Sequence, residues 1–568
     1  MTPTTASTTT ATGADVLACA LADAGIGCAY GIPGQRILPF FHALDQAGVP
    51  IVLTRHEQGA AFMADNHARI AGLGVCLSTS GPGAINMLGG LAAAYMDSVP
   101  LLAITAQAAT GEFGHYGIQE GTGLGRTPDI PAMCRSTVKE SWQATRAAEL
   151  GPLLAQALAV ARSGRPGPVH LDIPSDLFTA PVLDADGASP HTGAGSGADA
   201  VDAALVEAAA DALRGAKRPL VLAGGGLADP ATARLLLDVA EAADLPVATS
   251  FAAKRFLDEH HQLALGPVGT YGRAAANHAL HHEADLVLAL GVAFSYLTTA
   301  GWTARLPADR LIRVDIDPRE LANTYQGGIA VKATTRAFLT ALRPHAERVA
   351  GHGARRADAL RRRHPDPSVP LDAADGRLHP VTVCEAVNRH LDDRTTVLAD
   401  VGQNAYWVER YLRTRGDNRF LINAGLGSMG HAVAGAVGAW QARTATGGPG
   451  ERVVVTTGDG GFLMGALEIS TAVAEQAAIT WVVFNNGTLG TQQAWFDREG
   501  HRPVACQLPD TDLVALAKSL GANGRRVRTP QQLEDGLDWA LKRAAPTVLD
   551  VVIDPTPAPA PYTPEEPR

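Results

Sequence analysis

The chain has 568 residues, too many for one hydrophobic core, so three or four domains are expected. Apolar residues make up 46% and charged residues 18%, which excludes a disordered chain. A formal charge of -10 argues against a general nucleic-acid binder or a binder of anionic membranes, since both favour positive surfaces.

The opening dozen residues, MTPTTASTTTAT, are polar and Thr-rich, with neither the basic start nor the apolar core of a secretory signal. No apolar run reaches the roughly 18 residues that span a bilayer. The six cysteines (19, 28, 76, 134, 384 and 506) form no CxxC pair and no tight cluster, the pattern of reduced core thiols rather than disulfides or a zinc site. A soluble cytoplasmic protein is the expectation.

Along the chain, short apolar runs alternate with amphipathic ones. In the first segment IVLT (51–54), VCLST (75–79) and LLAIT (101–105) read as strands, and 57–71 and 84–96 have helical spacing. Residues 181–200, rich in Gly, Ser, Ala and Pro, read as a linker. In the second segment the strands are PLVLAG (219–224), LPVAT (245–249), DLVLALG (285–291) and LIRVDID (311–317). Residues 344–379 start helically and pass through HPDPSVPLDAADGRLHP, a second boundary. In the third segment TTVLAD (395–400), RVVVTTGD (452–459), TWVVFNN (480–486) and TVLDVVID (547–554) read as strands, with a helix over 465–476. The tail after Pro555 is Pro-rich and irregular.

Continuous apolar strands separated by helices imply parallel sheets covered on both faces. The expected fold is α/β, with three consecutive doubly wound parallel-sheet domains: 1–180, 200–345 and 375–555, followed by the tail 556–568. Ligands bind such sheets beyond the carboxyl ends of the strands.

Beyond RVVVTT stand Gly458, Asp459, Gly460 and Gly461. Glycines at a helix start let backbone N–H groups approach an anion, but an Asp there repels a phosphate unless a cation bridges the two. Beyond TWVVF stands Asn486, which adjacent parallel strands would carry beside Asp459. A carboxylate and an amide oxygen, with diphosphate oxygens and water, suit octahedral Mg²⁺. The bland alternative is a tight turn and a strand end. After IVLT, Glu57 opens a helix; a lone acid there is explained by the helix dipole alone.

The GDG and NN runs together resemble the signature of thiamine-diphosphate-dependent enzymes, and the chain is most similar to the large catalytic subunit of acetolactate synthase. The resemblance implies metal binding by Asp459, Asn486 and the Thr488 carbonyl. It implies that Glu57, in RHEQGA, hydrogen-bonds the aminopyrimidine of the cofactor and so activates its thiazolium. GIPGQRILPF (31–40) with Gly34, STSGPGAIN (78–86) with Gly81, and RPGPVHLDIPSDL (165–177) resemble the family's first domain. Gly402, Gln403 and Asn404 follow TTVLAD where the family has a GQH-type run, Asn404 standing where His is usual. GLGSMG (425–430) is similar to a segment whose Met, here Met429, props the cofactor in a bent shape; Gly427 and Met464 are further lining candidates. His431 reads as a packing residue before a catalytic one. Gln119 matches a Gln near the reacting centre, and Trp495 a Trp that shapes the acceptor pocket.

The resemblance further implies sites between subunits of a homodimer or homotetramer, with a small 2-oxo acid, pyruvate foremost, as substrate and neither nucleic acid nor membrane as partner. It departs at Gly291–Tyr296: biosynthetic synthases carry an RFDDR-like run whose first Arg binds the second oxo acid, and Ala293 stands there. GGG at 224–226, GPVGTYG (266–272) and VDIDP (314–318) resemble positions that hold FAD, but the missing run removes part of that site, so flavin is left open. The expected activity is decarboxylation with carboligation. The alternatives are a simple 2-oxo acid decarboxylase, a specialised secondary-metabolic synthase with a different acceptor, and a non-catalytic homologue.

Overall fold

The computed structural model describes residues 10–182, 200–348, 353–368 and 377–563. The linker expected over 181–200 lies almost wholly outside the described residues, as do 369–376 of the second boundary. No helix among the described residues is long and apolar enough to cross a membrane.

Three six-stranded sheets follow one another, and every strand pairing in them is parallel. The first contains β1 (Ala29–Gly31), β2 (Ile51–Leu53), β3 (Gly74–Ser78), β4 (Leu101–Gln107), β5 (Ser141–Gln143) and β6 (Pro168–Pro174), ordered β2-β1-β3-β4-β6-β5. The second contains β7 (Pro219–Ala223), β8 (Val247–Thr249), β9 (Ala264–Pro267), β10 (Leu286–Leu290), β11 (Leu311–Asp315) and β12 (Ile329–Lys332), ordered β12-β11-β10-β7-β8-β9. The third contains β13 (Thr395–Ala399), β14 (Phe420–Ile422), β15 (Arg452–Gly458), β16 (Ile479–Asn485), β17 (Asn523–Val527) and β18 (Thr547–Val552), ordered β14-β13-β15-β16-β18-β17.

The doubly wound reading holds because the central strands put apolar residues on both faces. In the middle sheet Leu286, Leu288 and Leu290 of β10 join one core, while Val287 and Ala289 join the core on the opposite face. Each buried Leu contributes about 1.5–3 kcal/mol of hydrophobic stabilisation. Every strand read from the sequence is present, within two residues at each end. Of the seven further strands, β5, β9, β12, β14 and β17 lie at sheet edges and β1 is three residues long; β6 mixes His170 and Asp172 into its run, which breaks the apolar signal.

The helix expected over 465–476 begins earlier. Asp459–Gly465 is already helical, a 3-10 turn covers Ala466–Glu468, and Ile469–Ala474 completes it. Gly460, Gly461 and Gly465 weaken local helix propensity, and tertiary packing overrides it: Gly460 and Gly461 are buried there. Glu57–Ala71 starts and stops where its caps dictate. His56 Nδ1 accepts the Gln58 N–H at 3.1 Å, and Gly72, at φ 88°, ends the helix with its N–H on the Ala68 carbonyl.

Two compact units result. One joins the first sheet to Ala434–Pro449 and Leu467–Ala477; the other contains the middle and third sheets. Within the second, Lys254 pairs with Glu259 at 2.6 Å, the Thr414 N–H donates to Glu259, and Arg410 donates to the Tyr271 and Gly272 carbonyls. Arg410 also reaches the Ala560 carbonyl, so the irregular Pro-rich tail is anchored there.

In the first unit His67 is buried and its Nδ1 lies 2.7 Å from the Tyr30 hydroxyl. Burial lowers its pKa from 6.5 to about 4. Between these values the unfolded chain takes up a proton that the folded chain refuses, so stability falls with falling pH, by about 1.4 kcal/mol per unit. His67→Gln should flatten the dependence of the denaturation midpoint on pH over that window; an unchanged slope would show that His67 is not its source.

Candidate active site

Each outer sheet reverses its strand order beside its first strand, the point beyond whose carboxyl ends such sheets bind ligands. In the first unit the reversal lies between β1 and β3. The Gly34 backbone lies against Thr79, whose hydroxyl is buried and without a hydrogen-bond partner. Glu57 occupies the first turn of its helix; the Asn86 amide donates to its Oε2 at 2.9 Å, and Gly83 lies beside its Oε1. The peptides leading into Glu57 are fixed by Glu468, which accepts the Arg55 and His56 N–H groups at 3.0 Å and the Thr471 hydroxyl at 2.7 Å. Gln119 approaches the same turn, its Oε1 3.5 Å from Ser80 Oγ and its backbone against Gly81.

In the second unit the reversal lies between β13 and β15. The register Ala399↔Thr456 places Asp400 beside Thr457, and Gly458↔Phe484 places Asp459 beside Asn485. Asp459 is 5% exposed; it accepts the Gly460 N–H at 2.9 Å and the Gly487 N–H at 2.7 Å, yet burial pushes its pKa up to about 6. Asn486 Oδ1 accepts the Thr488 N–H at 3.2 Å. Around them is a cavity of about 190 Å³ lined by Gly402, Gln403, Asn404, Gly427, Met429, Gly458, Asp459, Gly460, Gly461, Asn486 and Thr488. A larger hollow of about 630 Å³ shares Asp459, Asn486 and Thr488 and is lined further on by Arg526 and Arg528.

Asp400 ties this crevice together. It accepts the Gly430 and Ala432 N–H groups at 3.0 Å and the Thr457 hydroxyl at 3.1 Å. A side chain at Gly461 would collide with its carboxylate, which is why the residue after the GDG run must be glycine. Asn404 donates to the Asp400 and Thr456 carbonyls, an internal duty that ties the start of its helix to the two strand ends.

The chain matches three descriptions in succession: "Thiamine pyrophosphate enzyme, N-terminal TPP binding domain" over 11–124, the "central domain" over 206–342, and the "C-terminal TPP binding domain" over 400–551. The chain belongs to the thiamine pyrophosphate enzymes. Among this family's curated members it is 34% identical over 571 residues to the probable acetolactate synthase large subunit of Methanocaldococcus jannaschii, covering 96% of this chain and 92% of that one. It is 34% identical to the acetolactate synthase large subunit of Parasynechococcus marenigrum (95% and 87% covered), and 31% to the isozyme 2 large subunit of Escherichia coli (95% and 95%). It is thus a thiamine-diphosphate-dependent enzyme of the acetolactate synthase-like kind.

The residues present fit that cofactor. The glycine turn at a helix start suits a diphosphate, and Asp459, Asn486 and Thr488 bring oxygen donors together beside it. A buried carboxylate with a raised pKa is what a cation would stabilise.

Several residues of this thiamine pyrophosphate enzyme were not singled out by sequence reasoning. Asn86 and Glu468 support Glu57, and Tyr406, Gly490, Thr491 and Gln492 line the cavity. Asn86 stood unremarked in the STSGPGAIN run, and Glu468 lies 413 positions from Arg55, so no local spacing reveals it. Met464 and Trp495 do not line the cavity of this unit: they are 63% and 47% exposed, the Trp495 ring lying against Phe496 and His501. His431 is buried beside Asp400.

The middle sheet's reversal lies between β7 and β10. Side chains at Gly224 and Gly226 would collide with Gly291, so two of the glycines in that run serve contact between two loops.

Proposed function

We propose that this enzyme decarboxylates a 2-oxo acid, pyruvate foremost, and joins the remaining fragment to a second carbonyl compound, as acetolactate synthases do. The observation that carries the reading is the convergence of Asp459, Asn486 and Thr488 on the glycine turn at one crevice, in a chain whose relatives are named acetolactate synthase large subunits. The domains are assigned to 1–180, 200–345 and 375–555, with a tail over 556–568. The setting is the cytoplasm and the assembly a homodimer or homotetramer.

Asp459 and Asn486 would hold Mg²⁺ through side-chain oxygens and Thr488 through its carbonyl, leaving positions for diphosphate oxygens and water. Gly458, Gly460 and Gly461 would admit the diphosphate, and Gly402, Gln403 and Asn404 would border it. Met429 and Gly427 would support the thiazolium and pyrimidine rings, and Gly34 and Gly81 would shape the cofactor-binding turns of the first unit. Thiamine diphosphate supplies the nucleophile and electron sink of the reaction. Glu57 would share a proton with the pyrimidine ring, its other oxygen held by Asn86. Gln119 would touch the substrate; in the assembly Met464 would border the cofactor and Trp495 the acceptor.

A second reading concerns the acceptor. Ala293 stands exposed where a guanidinium would meet a carboxylate, and the nearby Arg313 is engaged, donating to the Tyr325 and Val292 carbonyls with its guanidinium over Phe294. That favours a neutral acceptor such as an aldehyde.

Incubation with thiamine diphosphate, Mg²⁺ and pyruvate, with and without aldehydes, tests both readings. Acetolactate or acetoin is the expected product. Free acetaldehyde alone would replace ligation with simple decarboxylation, and coupling only of pyruvate to pyruvate would overturn the neutral acceptor.

A further inference from the structure

Gln119 has φ +60°, a left-handed conformation that non-glycine residues rarely keep without support from their surroundings. It is also where the loop from strand β4 meets Gly81: a Cβ on Gly81 would stand 2.9 Å from Gln119 Cβ and 3.0 Å from its carbonyl oxygen. Neighbouring apolar residues do not enforce the conformation, since Tyr116 is 64% and Ile118 77% exposed. Polar contacts do so instead.

Glu120, 4% exposed, folds its carboxylate back into the loop, accepting the Gly114 N–H at 2.7 Å, the Gly117 N–H at 3.1 Å and the Thr122 hydroxyl at 2.6 Å. On one side, Arg36 donates through Nε and Nη2 to the Ile118 carbonyl and pairs with Glu112 at 2.7 Å. On the other, the Gly121 N–H donates to Gln107 Oε1 at 2.8 Å, and Gln107 Nε2 donates to the buried Asp172 at 3.0 Å. The peptides flanking Gln119 are thereby fixed while its own side chain stays free of the scaffold, apart from the long contact to Ser80. Burial works against the Glu120 charge, yet the Thr122 hydroxyl and the Gly114 and Gly117 N–H groups hold its pKa below the ordinary glutamate value.

We propose that Glu120 is a positioning residue: its carboxylate holds the 114–122 loop in the one shape that presents Gln119, left-handed, over the Gly81 turn. This rests on the reading of Gln119 as a substrate-contacting residue. Arg36 and Gln107 act in the same sense from either side. Glu120 itself touches neither cofactor nor substrate.

The test is a double-mutant cycle on the full-length enzyme with thiamine diphosphate, Mg²⁺ and pyruvate: Gln119→Ala, Glu120→Gln and the pair. A misplaced reacting group can lose up to about 100-fold in rate. Gln119→Ala and Glu120→Gln should each lower kcat by about 10-fold or more, leaving cofactor affinity within a few-fold of the parent. Adding Glu120→Gln to Gln119→Ala should then cost nothing further, and Glu120→Asp, which keeps the charge, should recover part of the loss. If the two losses multiply, or Glu120→Gln turns over like the parent while Gln119→Ala does not, the positioning role fails and the reading of Gln119 stands. If Gln119→Ala is fully active, that reading fails and takes the proposal with it. Should Glu120→Gln not fold, Thr122→Val, which removes one donor to the same carboxylate, replaces it in the cycle with the same expectations.

Discussion

Glu57→Gln lowers kcat at least about 100-fold, in the range that a positioned proton-transfer group supplies, and leaves thiamine diphosphate affinity within a few-fold of the parent. The substitution is nearly isosteric. Asn86 can still donate to the remaining side-chain oxygen, and Glu468 still fixes the Arg55 and His56 peptides that set the helix start. What is lost is the capacity to share a proton with the pyrimidine ring. Steady-state turnover of pyruvate and calorimetric titration of the cofactor separate the two effects. A variant that keeps half of its activity would remove Glu57 from the mechanism. A variant whose affinity collapses with its rate would make Glu57 a binding residue.

Asp459→Asn acts on the other crevice and through binding. Its carboxylate is nearly buried, with one oxygen on the Gly460 N–H and the other on the Gly487 N–H. An amide of the same shape can satisfy only one of those donors; it also removes the negative charge that draws a divalent cation to the diphosphate. We expect Mg²⁺-supported affinity for thiamine diphosphate to fall by about 100-fold or more, roughly 2.7 kcal/mol, and excess Mg²⁺ to restore only part of it. Titrations with and without Mg²⁺ check this. If the parent binds the cofactor equally well with a chelator present, no metal operates at Asp459, and an Asn variant with parental affinity would lead to the same conclusion. Melting temperature provides the control, because the unpaired donor at Gly487 or Gly460 carries a stability cost of its own, about 1–3 kcal/mol.

Much of this protein is written in its linear pattern. Runs such as RVVVTT and TWVVFNN can be read because a strand buried on both faces must be apolar at every position, a local demand that leaves a local trace. Asp459 and Asn486 could be read for a related reason. Parallel strands put the residues after them at the same end of a sheet, so two strand-end residues 27 positions apart in the numbering become neighbours by topology alone. Glu57 is legible only through the resemblance of its RHEQGA run, because an acid in a helix's first turn is otherwise explained by the helix dipole.

Tertiary structure decided the rest. Glu468 holds the approach to Glu57 from 413 positions away, and Asp400 gathers the N–H groups of Gly430 and Ala432 with the Thr457 hydroxyl. A hydrogen bond between distant segments leaves no periodicity, because a single partner suffices and its place in the numbering is arbitrary. The glycines at 224 and 226 carry the opposite lesson. They resemble a ligand loop in sequence, yet Gly291 occupies the space they leave. Sequence records that a backbone must come close to something; only the fold decides whether that something is a ligand or the protein itself.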